Sequence, residues 1–343
     1  MTLKEPFKKS VALLAGLALG AVSCAASAGN MTTKQLQQQF QKDVVGKTIV
    51  YIPISYGLPL TRIWGKTMQK EAKALGMHFK VLDPGFNTQR ETQMLESEVH
   101  KHPAVLIVHN PNVQVLAHGL RQAEQAGIYT IQVNMASRYK TDAFIGVQPN
   151  QLGAKMAKGI VKACSGPKAR SHQVALMDGV QTSAFSLGVM QGAQSVFKKH
   201  PNIKIVSTQY ADWDPQKAHD KAATVLQSHP KLCAYMGWWS GQDQGIAQAV
   251  RQAGLKGKVK IFTSGGGEPP ACQYVKNGLF YADYSYDAKL QAQQMMAVAK
   301  FLLQTHKPAG TFHTAIYSPV TKLTKATLKP DSCTHVGKKG SGS

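Results

Sequence analysis

From Thr48 onward, short apolar runs alternate with longer stretches of helical spacing. Thr48-Ile-Val-Tyr-Ile-Pro-Ile54 is a compact apolar run rich in branched residues, which predicts a buried strand. Residues 60–75 place apolar side chains at three- and four-residue intervals and stop at Gly76, which predicts a helix. The cycle repeats with a strand at 79–82, a helix at 87–99 capped by Asn87 or Thr88, and a strand at 104–108. A helix at 113–125 stopping at Gly127 and a strand at 129–133 complete the first half. A second half follows, with strands predicted at 174–177, 203–206, 232–236 and 259–262 and helices at 183–199, 215–227, 241–253 and 287–304. Residues 29–46 are polar and Gln-rich, a loose leader or a short helix.

Strand–helix–strand repeats of this period imply parallel sheets covered by helices. Two similar halves, each long enough for its own core, imply two α/β lobes with Rossmann-like sheets. In open sheets of this kind, ligands bind beyond the carboxyl ends of the strands. The cleft between two such lobes is then the natural site, and closure about a hinge the expected motion.

The start of the chain changes the compartment. Lys4, Lys8 and Lys9 precede an apolar run at 11–22, and Ala26-Ser27-Ala28 is a small-x-small cleavage site. This is the pattern of an export signal cut after Ala28, and the run is too short to span a bilayer. Ala21-Val22-Ser23-Cys24 is a poor lipidation box, so soluble release is expected. Removing 28 of the 343 residues leaves 315, enough for two domains.

Lys and Arg number 40 against 18 Asp and Glu, a formal charge of +22. The leader holds three Lys and one Glu, so the remainder carries +20. The basic residues are spread along the chain, with only small clusters such as Lys198-Lys199. No zinc-finger spacing occurs, and no helix-turn-helix precedes the first domain. Nucleic acid is therefore not an expected partner. The charge reads as a solvated surface suited to an anionic membrane face or acidic surroundings. Cys164, Cys233, Cys272 and Cys333 remain after cleavage. They allow two disulfides in any of three pairings, or four buried thiols, and none forms a CxxC pair.

The order of short motifs resembles the ribose- and galactose-binding family of periplasmic proteins, the type I periplasmic binding proteins that serve ABC importers. Gly57-Leu-Pro-Leu-Thr61 follows the first strand, then Gln69-Lys-Glu-Ala-Lys73 and Leu75-Gly76. Asn110-Pro111, Ile145-Gly-Val-Gln-Pro-Asn150, Thr182-Ser183-Ala184 and Ala211-Asp212-Trp213-Asp214 come next in order. His229-Pro230 and Ala253-Gly254 also fit. The resemblance implies an α/β fold of two Rossmann-like lobes with parallel sheets joined by a three-segment hinge. It divides the chain into a signal peptide at 1–28, one lobe at 47–149 plus 287–316, a second at 150–286 plus 318–335, and a flexible tail at 336–343. It also implies a periplasmic, monomeric solute receptor whose partners are a small-molecule solute and a membrane permease. The alternative it leaves is a sensor that passes the closed form to a chemoreceptor or kinase.

A sugar has apolar C–H faces and a polar rim, so such sites use aromatic rings with charged and amide side chains. Carried over from the family, the ligand-binding positions are Tyr56, Leu60, Thr61, Asn134, Trp213, Trp239, Glu268 and Tyr286. The chain departs from the family at several clamps. Leu60-Thr61 replaces an aromatic pair, so Tyr56 or Trp64 supplies any ring on that side. Asn134-Met135 replaces an Asp-Arg pair, and Trp238-Trp239-Ser240 stands where Asn-Asp is expected. An apolar residue near Leu187 replaces an arginine, and Gly265-Gly266-Gly267 falls where another Asp belongs. A solute less hydroxylated than a plain pentose or hexose suits this set, with Glu268, Asp283, Arg62 and Arg138 left to supply charge.

Enzyme motifs are lacking. Gly46-Lys47-Thr48 and Gly65-Lys66-Thr67 have Gln41 and Leu60 where a phosphate loop needs its earlier glycine. Neither GxSxG nor HExxH occurs, and the 12 His are scattered. No cofactor, catalytic residue or metal is expected.

Overall fold

The computed structural model describes residues 31–333. The Gln-rich segment forms a helix, α1 (Thr33–Val44). The first sheet is then built from β1 (Thr48–Ile52), α2 (Pro59–Ala74), β2 (His78–Val81), α3 (Thr88–Lys101), β3 (Val105–Val108), α4 (Ala117–Gln125), β4 (Tyr129–Val133) and β5 (Ala143–Gly146). The second is built from α5 (Pro149–Cys164), β6 (Gln173–Asp178), α6 (Ala184–Phe197), β7 (Lys204–Tyr210), α7 (Pro215–Ser228), β8 (Ala234–Gly237), α8 (Ser240–Gln252), β9 (Lys260–Gly265), α9 (Pro269–Lys276) and β10 (Ala282–Ser285). Then come α10 (Ala288–Thr305), β11 (Thr314–Tyr317) and β12 (Thr321–Leu323).

Among the described residues there are two six-stranded sheets, in the orders β2-β1-β3-β4-β5-β11 and β7-β6-β8-β9-β10-β12. Every pairing is parallel except that of β10 with β12. The chain passes between the sheets three times, after β5, after β10 and between β11 and β12. The last two strands thus return to different sheets.

The central strands of each sheet are buried on both faces, which is why they are continuous apolar runs rather than alternating ones, while the edge strands β2 and β7 are only partly buried. On β1, Ile49 and Tyr51 face the layer of α2 and α10, while Val50 and Ile52 face Leu95, Leu116 and Leu120 on the opposite side. In the second sheet, Leu176 and Met236 pack on the side of Met156, Ile160 and Val189, and Met177, Tyr235 and Ile261 on the side of α7 and α8. Pro59, Pro149, Pro215 and Pro269 open four helices, where a missing N–H costs nothing. Side-chain caps start others: Asn87 accepts from Arg90 N at 2.8 Å, and Ser183 from Ser186 N at 3.1 Å.

Four strands and two helices go beyond the sequence expectation: β5, β10, β11, β12, α5 and α9. The first four are three or four residues long and carry polar or aromatic positions in place of an apolar run. Of the three disulfide pairings open from sequence, the structure has Cys164–Cys233 and Cys272–Cys333, with Cα separations of 6.0 and 6.2 Å. The first ties the end of α5 to the start of β8. The second ties α9 to the segment after β12. The export signal and Cys24 lie outside the described residues.

Asp283, on β10, is fully buried, and neither carboxylate oxygen has a hydrogen-bond partner. Burial, with the nearby charge of Glu268, pushes its carboxyl up to about 8. The folded chain therefore holds a proton that the unfolded chain releases above its ordinary carboxylate range. Stability is greatest below about pH 4 as far as this group is concerned, and is lost as pH rises through about 8. Thermal unfolding followed from pH 5 to pH 8 should show this decline, and Asp283→Asn should flatten it.

The Cys164–Cys233 bridge closes a loop of 69 residues. Replacing both cysteines by Ala should lower the unfolding free energy by about 2–4 kcal/mol, read from urea unfolding by midpoint and slope together, with the slope rising because the unbridged unfolded chain exposes more surface.

Candidate functional site

Both sheets present the carboxyl ends of their strands to one internal cavity. Its volume is about 40 Å³, measured as space open to the centre of a water-sized sphere. The first sheet contributes Ile54, Leu58, Leu60, His109, Asn134 and Met135. The second contributes Phe185, Trp213 and Trp239, and Tyr286 enters from the crossing after β10. Each is held by the turn that follows a strand or opens a helix.

Trp213 sits in the turn between β7 and α7, where both Asp212 and Trp213 adopt left-handed backbone angles, with φ of 52° and 63°. Non-glycine residues rarely take this conformation, and it persists only where the surroundings hold it. Three hydrogen bonds hold it here. Ala211 N donates to Asp178 O at 3.0 Å, Asp212 N to Gly179 O at 3.3 Å, and Trp213 N to Gln242 Oε1 at 2.9 Å. Asp214 then caps α7 through Gln216 N and Lys217 N. The indole lies against the backbone of Gly179, where a Cβ would collide with the ring. Phe185 meets it edge-on at 6.2 Å between ring centres. Its Nε1 is buried and has no hydrogen-bond partner.

Trp239 precedes α8, and its ring covers Gly241, which again has no room for a Cβ. Its Nε1 donates to Glu268 Oε1 at 3.0 Å. The other carboxylate oxygen of Glu268 accepts from Gly266 N at 2.8 Å and Ser240 Oγ at 3.3 Å. Burial raises this carboxyl, while those donors pull it back toward the charged form. Glu268 thus stands behind Trp239 and fixes its ring plane.

On the opposite wall, Asn134 follows β4 with φ of 53°. Its N–H donates to Ile145 O at 2.8 Å, and its Oδ1 accepts from Gln291 Nε2 at 2.8 Å. Gln291, on α10, takes the Trp64 indole N–H on its own oxygen at 3.1 Å. That chain fixes the amide, with its Nδ2 free of protein hydrogen bonds. His109 is buried, and its ring meets Trp64 edge-on at 5.1 Å. Burial drives its pKa down to about 3, so the imidazole is neutral, and Nδ1 has no partner.

The eight positions carried over from the family fall into two groups. Leu60, Asn134, Trp213, Trp239 and Tyr286 line the cavity. Tyr56, Thr61 and Glu268 lie outside the lining. The Tyr56 ring packs over Gly65 on α2, and its N–H donates to Asp83 Oδ1 at 2.9 Å. Thr61 is fully buried and donates to Ser55 O at 2.6 Å, tying the loop to the helix start. Trp64 and Trp238 are also buried behind the wall, Trp238 with Nε1 3.4 Å from Ser186 O. His109, Phe185, Met135, Ile54 and Leu58 were not legible as site residues. His109 directly follows β3, so the rule that ligands meet strand ends was the one signal available.

Among the described residues, no Asp, Glu, Lys or Arg lines the cavity. Arg62 is exposed on α2, and Asp283 is buried in the second sheet. A larger groove of about 550 Å³ adjoins at Asn134 and runs between the edge of the first sheet, at Phe144 and Tyr317, and the helices α5 and α6. Among the described residues no group of His, Cys, Asp and Glu is placed to hold a metal, and no helix is long and apolar enough to cross a membrane.

The fold is shared with solved solute-binding proteins. One from Burkholderia graminis C4D1M, in complex with D-arabinose, superposes with a TM-score of 0.74 at 20% identity, covering 82% of this chain and 96% of that one. The Caulobacter myo-inositol binding protein, bound to myo-inositol, gives 0.73 at 22% identity over 81% of this chain and 93% of that one. Both are type I periplasmic binding folds, as is this chain. In sequence, the D-allose-binding periplasmic protein of Escherichia coli is 30% identical over 223 residues, 62% of this chain and 70% of that protein. A D-apiose import binding protein of Paraburkholderia graminis is 23% identical over 60% of this chain and 65% of its own length. The chain thus spans about two thirds of the length of these relatives, which are solute-binding proteins rather than enzymes. The model of the periplasmic binding protein domain matches residues 49–308, most of both sheets and their helices, and the chain belongs to that family.

Proposed function

We propose that this chain is the periplasmic receptor of an ABC importer and captures a small, neutral, sugar-like or polyol solute between its two sheets. The observation that carries the reading is the cavity itself: Asn134 and Leu60 from one sheet, Trp213 and Trp239 from the other, and Tyr286 on a crossing segment converge on one narrow space. A water needs roughly 10–15 Å³ by the same measure, so the gap has the volume of a few waters. A sugar ring enters only if the sheets part. The lobes that part are 47–149 with 287–316, and 150–286 with 318–335, and they turn about the three crossings. The rings of Trp213 and Trp239 offer flat faces to C–H surfaces, and Asn134 offers N–H to an oxygen. The closed form then presents both lobes to a membrane permease, as a monomer. The likeness to binding proteins for allose and apiose supports a carbohydrate or polyol class.

Thermal unfolding with D-allose, D-apiose, D-ribose, D-xylose, D-arabinose and myo-inositol tests this. A true ligand at a hundredfold excess over its dissociation constant should add about 2.7 kcal/mol to stability. Small-angle scattering should show the particle contract on binding. No shift with any sugar, polyol or their derivatives would remove the reading.

With a ligand in hand, Trp213→Ala and Trp239→Ala should each weaken binding by at least tenfold, about 1.4 kcal/mol, in titration calorimetry. Tyr56→Phe should leave it within twofold, because that ring lies on Gly65.

A further inference from the structure

The cavity offers a ligand few hydrogen-bond acceptors, and among the described residues no charged one. A sugar hydroxyl both donates and accepts, so a hydroxyl-rich ring in a dry cleft needs acceptors along its rim. This lining has few. The Asn134 oxygen already accepts from Gln291 and keeps one lone pair beside the amide N–H groups. The Glu268 carboxylate is taken by Trp239, Ser240 and Gly266. Among the described residues, no charged side chain lines the space. Meanwhile Nε1 of Trp213, a ring of the lining, is a buried donor with no partner. Buried polar groups are rarely left unpaired, and such exceptions call for an explanation. His109 adds one more unpaired ring nitrogen, Nδ1, on a ring that is neutral. Tyr286 brings one hydroxyl, which accepts as well as donates, and the rest of the wall is Ile54, Leu58, Leu60, Met135 and Phe185, which satisfy no hydroxyl at all.

We propose that the cleft selects a neutral ring rich in acceptor oxygens and poor in hydroxyls, an O-methylated or deoxygenated sugar or cyclitol, with Trp213 Nε1 donating to one of those oxygens and His109 reading the one remaining hydroxyl. The inference rests on the receptor reading above and narrows its ligand. Ether oxygens accept from Asn134 and Trp213 without presenting O–H donors that the wall leaves unpaired. Their methyl groups replace water against Leu60, Met135 and Phe185. A plain pentose or hexose would bury more hydroxyl protons than these few acceptors receive, and that penalty sets the selectivity.

The test is titration calorimetry on matched pairs: myo-inositol against its mono- and di-O-methyl ethers, and D-xylose against its O-methylated methyl glycosides. The methylated member should bind at least tenfold more tightly in each pair that binds. In Trp213→Phe, which keeps a ring but removes the N–H, that ratio should shrink by about tenfold, and in His109→Phe the preference for one free hydroxyl over none should disappear. Tighter binding of the fully hydroxylated members would overturn this inference and leave the sugar-receptor reading standing. An unchanged ratio in Trp213→Phe would overturn the role given to Nε1. Binding by neither member of any pair, with D-allose and D-ribose also silent, would overturn both readings.

Discussion

Two open parallel sheets cannot cover their own carboxyl edges, and in this chain each edge is covered by the other. Everything at the cavity follows from that. Strand ends expose backbone that the ladder no longer pairs, so the turns there carry the side chains that meet a partner. The rings that fill the gap are not free to turn. Trp213 lies on Gly179 and Trp239 on Gly241, at two places where the backbone comes too close for any side chain but hydrogen. The paired left-handed residues Asp212 and Trp213 are held by bonds from Asp178, Gly179 and Gln242. Such a rigid wall loses little entropy when a ligand settles on it.

The polar groups behind the wall are arranged to position rather than to touch. Gln291 links Asn134 to Trp64, and Trp64 in turn meets His109 edge-on. One amide on α10 therefore orients two groups of the lining. On the far side, Glu268 does the same for Trp239 with three donors around its carboxylate. The chain keeps a buried carboxylate at this site, yet points it at the protein. This is the largest chemical difference between the cavity and a clamp made to grip hydroxyls.

The two disulfides lie entirely within or beside the second sheet, at α5–β8 and at α9 with the chain beyond β12. Neither links one sheet to the other, although the loop closed by Cys272–Cys333 includes the crossing after β10 and the one between β11 and β12. Both bridges staple the body on the side of the second sheet. Such bridges persist in an oxidising compartment, which agrees with the export pattern at residues 1–28.

The alternation of β and helical periods, the doubling of that cycle and the sheet class were legible along the chain, because buried parallel strands are apolar on both faces and leave an unbroken signal. Strands β1, β3, β4, β6, β8 and β9 stood out for that reason, while β2 and β7 are edge strands only partly buried. Strand β10 did not, since Ala-Asp-Tyr-Ser holds a buried Asp283 that only tertiary burial keeps protonated. Nor did β11 and β12, whose four and three residues take their order from the sheet edges they join. Leu60, Asn134, Trp213, Trp239 and Tyr286 could be carried to the cavity by resemblance, because each follows a strand or opens a helix at a marked turn. The sequence by itself determined the repeat and the turns that end the strands. It left open the cysteine pairing, the withdrawal of Tyr56, Thr61 and Glu268 behind the wall, and the arrival of His109 and Phe185 in it. Those were decided only when two distant rims met, because which face a ring turns, and which oxygen is already taken, depends on neighbours from across the gap.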